Sequence, residues 1–360
     1  MSLFSDRAGP AIGALCAASL LAACASAPQH PAPVMVRPAP VEPTPVLNPK
    51  MAADAEALNR QAALLERVYQ VAAPLLINNA DLCKNHARNL LGFTAKNRHS
   101  YPGEFNDAAH NAFGMGERLQ VSGVLAGSGA YAAGLRRGDA LIAAEGKPLP
   151  TGANAETTAG SVFGPLVANH TTIKLTVSRD GAHNVIAVPV TRACGFRVEV
   201  GNADNVNAYA DGSRIMVTRG MINIAQTDEE LAYVMAKGLA HNILNHASSQ
   251  RSAGTLASII DNLVNLRPDL SMLIGSGGIK PMPGEVDASA DTLAIYLLAR
   301  AGYNVDHASR FWQNLAANYP ASVLNGYVAN HPATAIRVAA IDKAVAEVKS
   351  KQASKRPLVP

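Results

Sequence analysis

Charge is scarce in this 360-residue sequence. Only 16% of the residues are charged while 48% are hydrophobic, against roughly 25% charged in a typical globular chain. That balance excludes a solvated, disordered chain. The excess of positive charge is small as well: 31 Lys+Arg against 27 Asp+Glu leave a net +4. These charges are scattered, whereas a nucleic-acid binder carries a basic stripe, so that class is excluded too. Beyond the N-terminal segment no apolar run reaches the ~20 residues of a bilayer-spanning helix. Cysteine is rare, at four residues. At roughly 100–200 residues per domain, the length accommodates two folded domains.

What is present begins with an export pattern. Residues 1–24 open on a short polar stretch holding Arg7 and continue through an Ala/Leu-rich core from Ala11 to Ala23. The run is too short for a stable span and ends in small residues, as a secretory signal does. Leu21-Ala22-Ala23-Cys24 resembles the lipobox of bacterial lipoproteins. The resemblance implies that Cys24 becomes the first mature residue and carries the lipid. Ala25 in place of an aspartate implies sorting to the outer membrane and a periplasmic location. An ordinary signal peptide cleaved near Ala27 is the alternative. Residues 25–50 are so rich in proline that they predict an extended tether. With Cys16 lost in the signal and Cys24 lipidated, Cys83 and Cys194 are left. An oxidising compartment favours a disulfide between them; two separate buried thiols are the other reading.

Residues 51–110 read as a helical N-terminal segment, with Leu58, Leu65, Val68 and Ala72 at helical spacing. From Asn111 to Arg192 the pattern changes to short strands and turns, and Asp180-Gly181 between two alternating runs predicts a hairpin. Within Val121–Pro150, the groups Gly127-Ser128, Ala133-Gly134-Leu135, Arg137-Gly138-Asp139 and Glu145-Gly146-Lys147 resemble a bacterial PDZ domain. The resemblance implies capture of an extended peptide by strand addition to a sheet edge. Its carboxylate-binding loop falls at Phe113-Gly114-Met115-Gly116.

The remainder carries the chemistry. Thr227 followed three residues on by Glu230 is a capping box opening a helix that should run to about His246. Asn207-Ala208-Tyr209-Ala210, Val217-Thr218-Arg219-Gly220, Ala299-Arg300-Ala301-Gly302-Tyr303, Phe311-Trp312, and His331-Pro332 with Arg337 resemble the zinc metallopeptidases of peptidase family 48. That group includes HtpX and the CAAX prenyl proteases, and the likeness spans residues 195–350. It implies an α+β architecture: a mainly helical zincin-like domain with a short sheet, beside the β-rich PDZ-like domain, with residues 351–360 as a tail.

The enzymes of that family present H-E-x-x-H, two histidines one helical turn apart binding zinc with a glutamate activating the bound water. Here those positions read Lys237-Gly238-Leu239-Ala240-His241. The third ligand position, aligned on Ser289-Ala290-Asp291, is Ser289. One histidine does not hold zinc, and an ammonium at the first ligand position repels it by about 4 kcal/mol at ~4 Å and an effective dielectric of 20. No zinc or other cofactor is therefore expected, and no catalytic set is intact. Lys237 is expected either to pair with Asp291 or Glu285 and join the two helices, or to turn its ammonium outward to solvent. His246, turned about 140° from His241 on a continuous helix, reads as a capping or packing residue. His331 and Arg337 resemble the family's substrate-side pair. Gly275–Gly284 reads as a loop flanking the cleft, and Arg214–Thr218 as an edge strand for substrate pairing.

The leading reading is an outer-membrane-anchored pseudopeptidase that binds peptides or unfolded envelope proteins, alone or with an active peptidase relative. A zinc metalloendopeptidase of envelope quality control with an atypical ligand set, and a purely structural lipoprotein, stay open beside it.

Overall fold

The computed structural model describes residues 48–249, 253–271, 283–319 and 334–360. The chain divides into two units, Met1–Val46 and Leu47–Pro360, and the described residues all belong to the second. The signal region, Cys24 and most of the Pro-rich segment lie outside the described residues, as do His331 and nearly all of the Gly275–Gly284 loop.

Helix α1 (Pro49–Ile77) starts where Asn48 accepts a hydrogen bond from Met51 N, with Pro49 pre-set in its first turn. At 29 residues it is about 43 Å long. Along that length it buries Leu58, Val68, Val71, Leu75 and Leu76. Strands β1 (Ala87–Leu90) and β2 (Phe93–Lys96) follow, then α2 (Asn106–Phe113), β3 (Gln120–Val124), α3 (Gly129–Ala132), β4 (Ala140–Ala144) and β5 (Lys147–Pro148). Helix α4 (Ala155–Asn169) precedes β6 (Thr172–Arg179), β7 (Ala182–Pro189) and β8 (Thr191–Cys194).

Six of these strands form one sheet in the order β2-β3-β4-β6-β7, with β5 paired to β4. The hairpin expected at Asp180-Gly181 joins β6 to β7, and both residues have positive φ, 52° and 79°. The expectation of an all-helical segment over 51–110 is overturned, because β1 and β2 lie inside it. Their partners are distant in sequence: β2 pairs with β3 and β1 with β8. No local turn therefore advertises them.

The second half contains β9 (Arg197–Gly201), β10 (Ala208–Ala210) and β11 (Arg214–Thr218). After them come α5 (Arg219–Ile224), α6 (Asp228–Ile243), α7 (His246–Ser249), α8 (Ala253–Leu263), α9 (Gly284–Arg300), α10 (Ala308–Asn318) and α11 (Ala335–Ala353). Helices and sheets are thus mixed, consistent with the expected α+β class. The capping box forms as read: Glu230 N donates to Thr227 Oγ1 at 3.2 Å and Thr227 N to Glu230 Oε2 at 3.3 Å. Helix α6 ends earlier than expected, at Ile243. The expected tail folds back instead of leaving the surface, with Arg300 Nη1 donating to Leu358 O at 3.3 Å.

Strand β11 is not an edge strand. It lies in the middle of a three-stranded sheet, antiparallel to β10 and parallel to β9. With both of its sides bonded, it has no free ladder for an incoming chain. Helix α8 packs across β10, burying Tyr209 among Leu256, Ile259, Ile260 and Leu263. Arg214 pins that helix, with Nη2 2.9 Å from Ala257 O and 2.7 Å from Asp261 Oδ1.

Asp211 holds the other side of Arg214 at 2.7 Å and accepts from Ser213 N and Arg214 N at 2.9 Å each. Burial opposes ionisation of Asp211, but the Arg214 guanidinium and these N–H donors outweigh it, so its carboxyl is held below the ordinary 3.8. Its stabilising contribution is therefore complete above pH 3.8 and is lost as the pH falls through the lower folded value. Asp211→Asn is expected to cost about 1.5–3 kcal/mol at pH 7. The gap from the parent, measured by denaturant unfolding, should narrow in acid below the ordinary value. A gap independent of pH would contradict the assignment.

Candidate functional site

On α6, Lys237 and His241 are four residues apart and share a face; on α9, Asp287 and Asp291 do the same. The two faces meet. Lys237 Nζ lies 2.8 Å from Asp287 Oδ1 and 3.3 Å from Asp291 Oδ1. Arg337, in the first turn of α11, reaches in from a third helix. Its Nε is 2.9 Å from Asp287 Oδ2 and 2.7 Å from Asp291 Oδ2, and Nη2 donates to Asp291 Oδ1 at 3.0 Å. Trp312 of α10 closes the group, with its ring centroid 5.0 Å from Lys237 Nζ and 5.4 Å from the Arg337 guanidinium carbon. Lys237 is 0% exposed, and Asp287, Asp291 and Arg337 are 1% exposed.

Two cations and two carboxylates make this interior neutral. Burial pushes the Lys237 ammonium below its ordinary range, while Asp291 and Asp287 act in the opposite direction. Burial also works against Arg337, but its ion pairs with the two aspartates outweigh that and hold the guanidinium above its ordinary value. Each ion loses several kcal/mol of hydration, roughly offset by attractions of about 4 kcal/mol per close pair. The cluster therefore adds little net stability but penalises the loss of any one member.

Several expectations are corrected here. The expected partner Asp291 is present, but the nearer one is Asp287, and Glu285 is exposed. Ser289 is not the third group of the site; it is exposed on α9, its Oγ donating to Val286 O at 2.7 Å. Asp287 takes that place, one turn before Asp291, with Oδ1 3.2 Å from His241 Nε2.

His246 is a neighbour of His241 after all, their Nδ1 atoms 3.0 Å apart. The 140° separation holds only on a continuous helix. The chain instead leaves α6 at Ile243 and turns through Asn245 in the left-handed region, φ 57°. Burial pushes the His246 pKa down. One of these two Nδ1 atoms donates to the other, the direction following the tautomer. Gly238 faces the small sheet: a Cβ there would stand 3.0 Å from Ile215 Cγ2. A carboxylate at that position would have to displace Ile215.

The donor set does not fit a zinc ion. Its carboxylate charge is already matched by two cations at hydrogen-bonding distance, and a divalent ion would stand against both. Among the described residues no group of three His, Cys, Asp or Glu is placed to hold a metal. Asp287 is the member that motif spacing did not single out; Trp312 entered only as part of the Phe311-Trp312 resemblance, with no role in the cluster. The signal for Asp287 was its i,i+4 relation to Asp291, mirroring Lys237 and His241.

Residues 179–345 match Peptidase family M48. The helices and small sheet that build the cluster lie largely within this matched stretch, and the six-stranded sheet lies largely ahead of it. The chain is also 22% identical over 175 residues to the mitochondrial metalloendopeptidase OMA1 of Schizosaccharomyces pombe, over 47% of this chain and 52% of that protein. The chain thus spans about half the length of this curated relative.

A disulfide joins Cys83 to Cys194, their Cα atoms 5.6 Å apart, beside the β1–β8 pair. In the loop Phe113-Gly114-Met115-Gly116, Gly114 caps α2 with φ 66°, Met115 is buried, and Gln120 Nε2 donates to Phe113 O at 3.0 Å. The strand after this loop, β3, is bonded along its length to β2 and to β4 only through the Gln120–Ala140 pair. The strands of the large sheet bonded on one side only, among the described residues, are β2, β7 and the short β5.

Proposed function

We propose that this chain is a metallopeptidase homologue that binds polypeptide without cutting it. The observation that carries this reading is the Lys237 ammonium seated between Asp287 and Asp291 at the position of the family's first zinc ligand. Hydrolysis of this kind requires three protein ligands, a bound water and a base. Gly238 stands at the position of that base.

Peptide capture is better supported at β2 than at the Phe113–Gly116 loop. Half-buried Leu91, Phe93 and Ala95 share one apolar cluster with Val162, Leu166 and Val167 of α4. A sheet edge beside such a surface suits backbone pairing with an extended chain, which needs no metal. The lipobox-like run before Cys24 supports a lipid anchor at the outer membrane. Unfolded envelope proteins are then the partners within reach, and an active peptidase relative is a further one. The relative named a metalloendopeptidase favours a second reading, zinc-dependent cleavage with an atypical ligand set.

Metal content and casein turnover separate the two. After dialysis without chelator the purified chain should hold well under one zinc and leave unfolded casein intact while retaining it. Leu166→Lys should abolish retention. Stoichiometric zinc with chelator-sensitive cleavage would establish the second reading instead, and casein that is neither held nor cut would leave only a structural role.

A further inference from the structure

A cleft of about 520 Å³ opens between α1 and the β3–α3 region, away from the charge cluster and from α4. It exists because position 123 has no side chain. A Cβ on Gly123 would stand 2.8 Å from the Tyr69 ring, so only glycine lets that ring lie against β3. Leu65 and Tyr69 of α1, Val124 and Leu135 supply the cleft's apolar lining, with Gln70 and Ser122 beside them. Tyr131 is left 61% exposed at the rim.

Exposed cations join the apolar side chains of this lining. Arg136 and Arg137 both line it, against the single carboxylate of Glu66. Neither guanidinium has a carboxylate partner among the described residues. Arg137 rests over the Phe113 ring at 4.9 Å, which holds it in place. Two unneutralised guanidinium forks over an apolar cavity are complementary to a carboxylate carried on an apolar body. The volume falls in the range of small-molecule sites, roughly 300–1,000 Å³.

We infer that this cleft binds a small amphiphilic carboxylate of the fatty-acid type. Its chain lies against Leu65, Tyr69, Val124 and Leu135, and its headgroup meets Arg136 and Arg137. The site is independent of the β2 edge and of the M48 cluster.

The test is displacement of 1-anilinonaphthalene-8-sulfonate fluorescence from the full chain by dodecanoate, with dodecanol as the uncharged control. Dodecanoate should displace the dye at one site per chain, well ahead of dodecanol. Arg136→Gln with Arg137→Gln, both at exposed positions, should weaken dodecanoate by about tenfold and leave dodecanol unchanged. Leu166→Lys should leave dodecanoate binding intact, which separates this site from the peptide edge. Absence of displacement, equal competition by dodecanol, or full dodecanoate affinity in the double variant would each overturn the assignment.

Discussion

Replacing Lys237 with methionine should lower the unfolding free energy by about 3–5 kcal/mol. Methionine is close in volume, so the loss does not come from a cavity. It comes from leaving Asp287 and Asp291 with only Arg337 as counter-charge in an interior where all four residues are at most 1% exposed. One guanidinium then faces two carboxylates, and the excess negative charge stays in an interior shielded from water. A second change restores neutrality: Lys237→Met with Asp287→Asn keeps the Arg337–Asp291 contacts at 2.7 and 3.0 Å. This double variant should regain a large part of the stability lost in the single one. Guanidinium unfolding of parent, both single variants and the double gives the coupling energy directly. Additive effects would mean that Lys237 and Asp287 do not work as a pair. A single-variant loss below ~1 kcal/mol, the level of an exposed pair, would remove the argument that this lysine stands in for a metal.

Breaking the Cys83–Cys194 bond should have an effect of similar size. The bond closes a loop with a sequence separation of 111 residues. Chain-entropy arguments put its contribution at about 4–5 kcal/mol. That loop encloses the whole six-stranded sheet, so the bond clamps both ends of the unit carrying β2 and α4 to the turn after α1. Cys83→Ala with Cys194→Ala, both buried, should reproduce what a reductant does to the parent chain. Equal unfolding midpoints with and without reductant would show that the native contacts already fix the loop ends without it.

Much of the fold is legible along the chain. The Thr227–Glu230 capping box, the Asp180-Gly181 turn and the spacing of Leu58, Leu65, Val68 and Ala72 are local signals, and local physics places those elements. Strands β1 and β2 escape such a reading because their partners lie far along the chain. Arg214–Thr218 reads as an edge, and is not one, because strand order is not encoded in the residues of one strand. His246 falls on the wrong side of the helix because a single left-handed residue, Asn245, ends the helical geometry on which the angle rests.

The candidate site divides along the same line. Sequence by itself determined that Lys237, Gly238 and His241 stand together on the helix opened by Thr227, because residue identity needs no coordinates. It also determined that a buried lysine there would require carboxylates. Which carboxylates, and how many cations share them, was decided by tertiary structure alone. Asp287 and Asp291 come from α9, Arg337 from α11 and Trp312 from α10, and only the packing of these helices on α6 brings them within reach of one ammonium. Charge balance in a low-dielectric interior belongs to the whole set of neighbours, and that set exists only once the helices have packed.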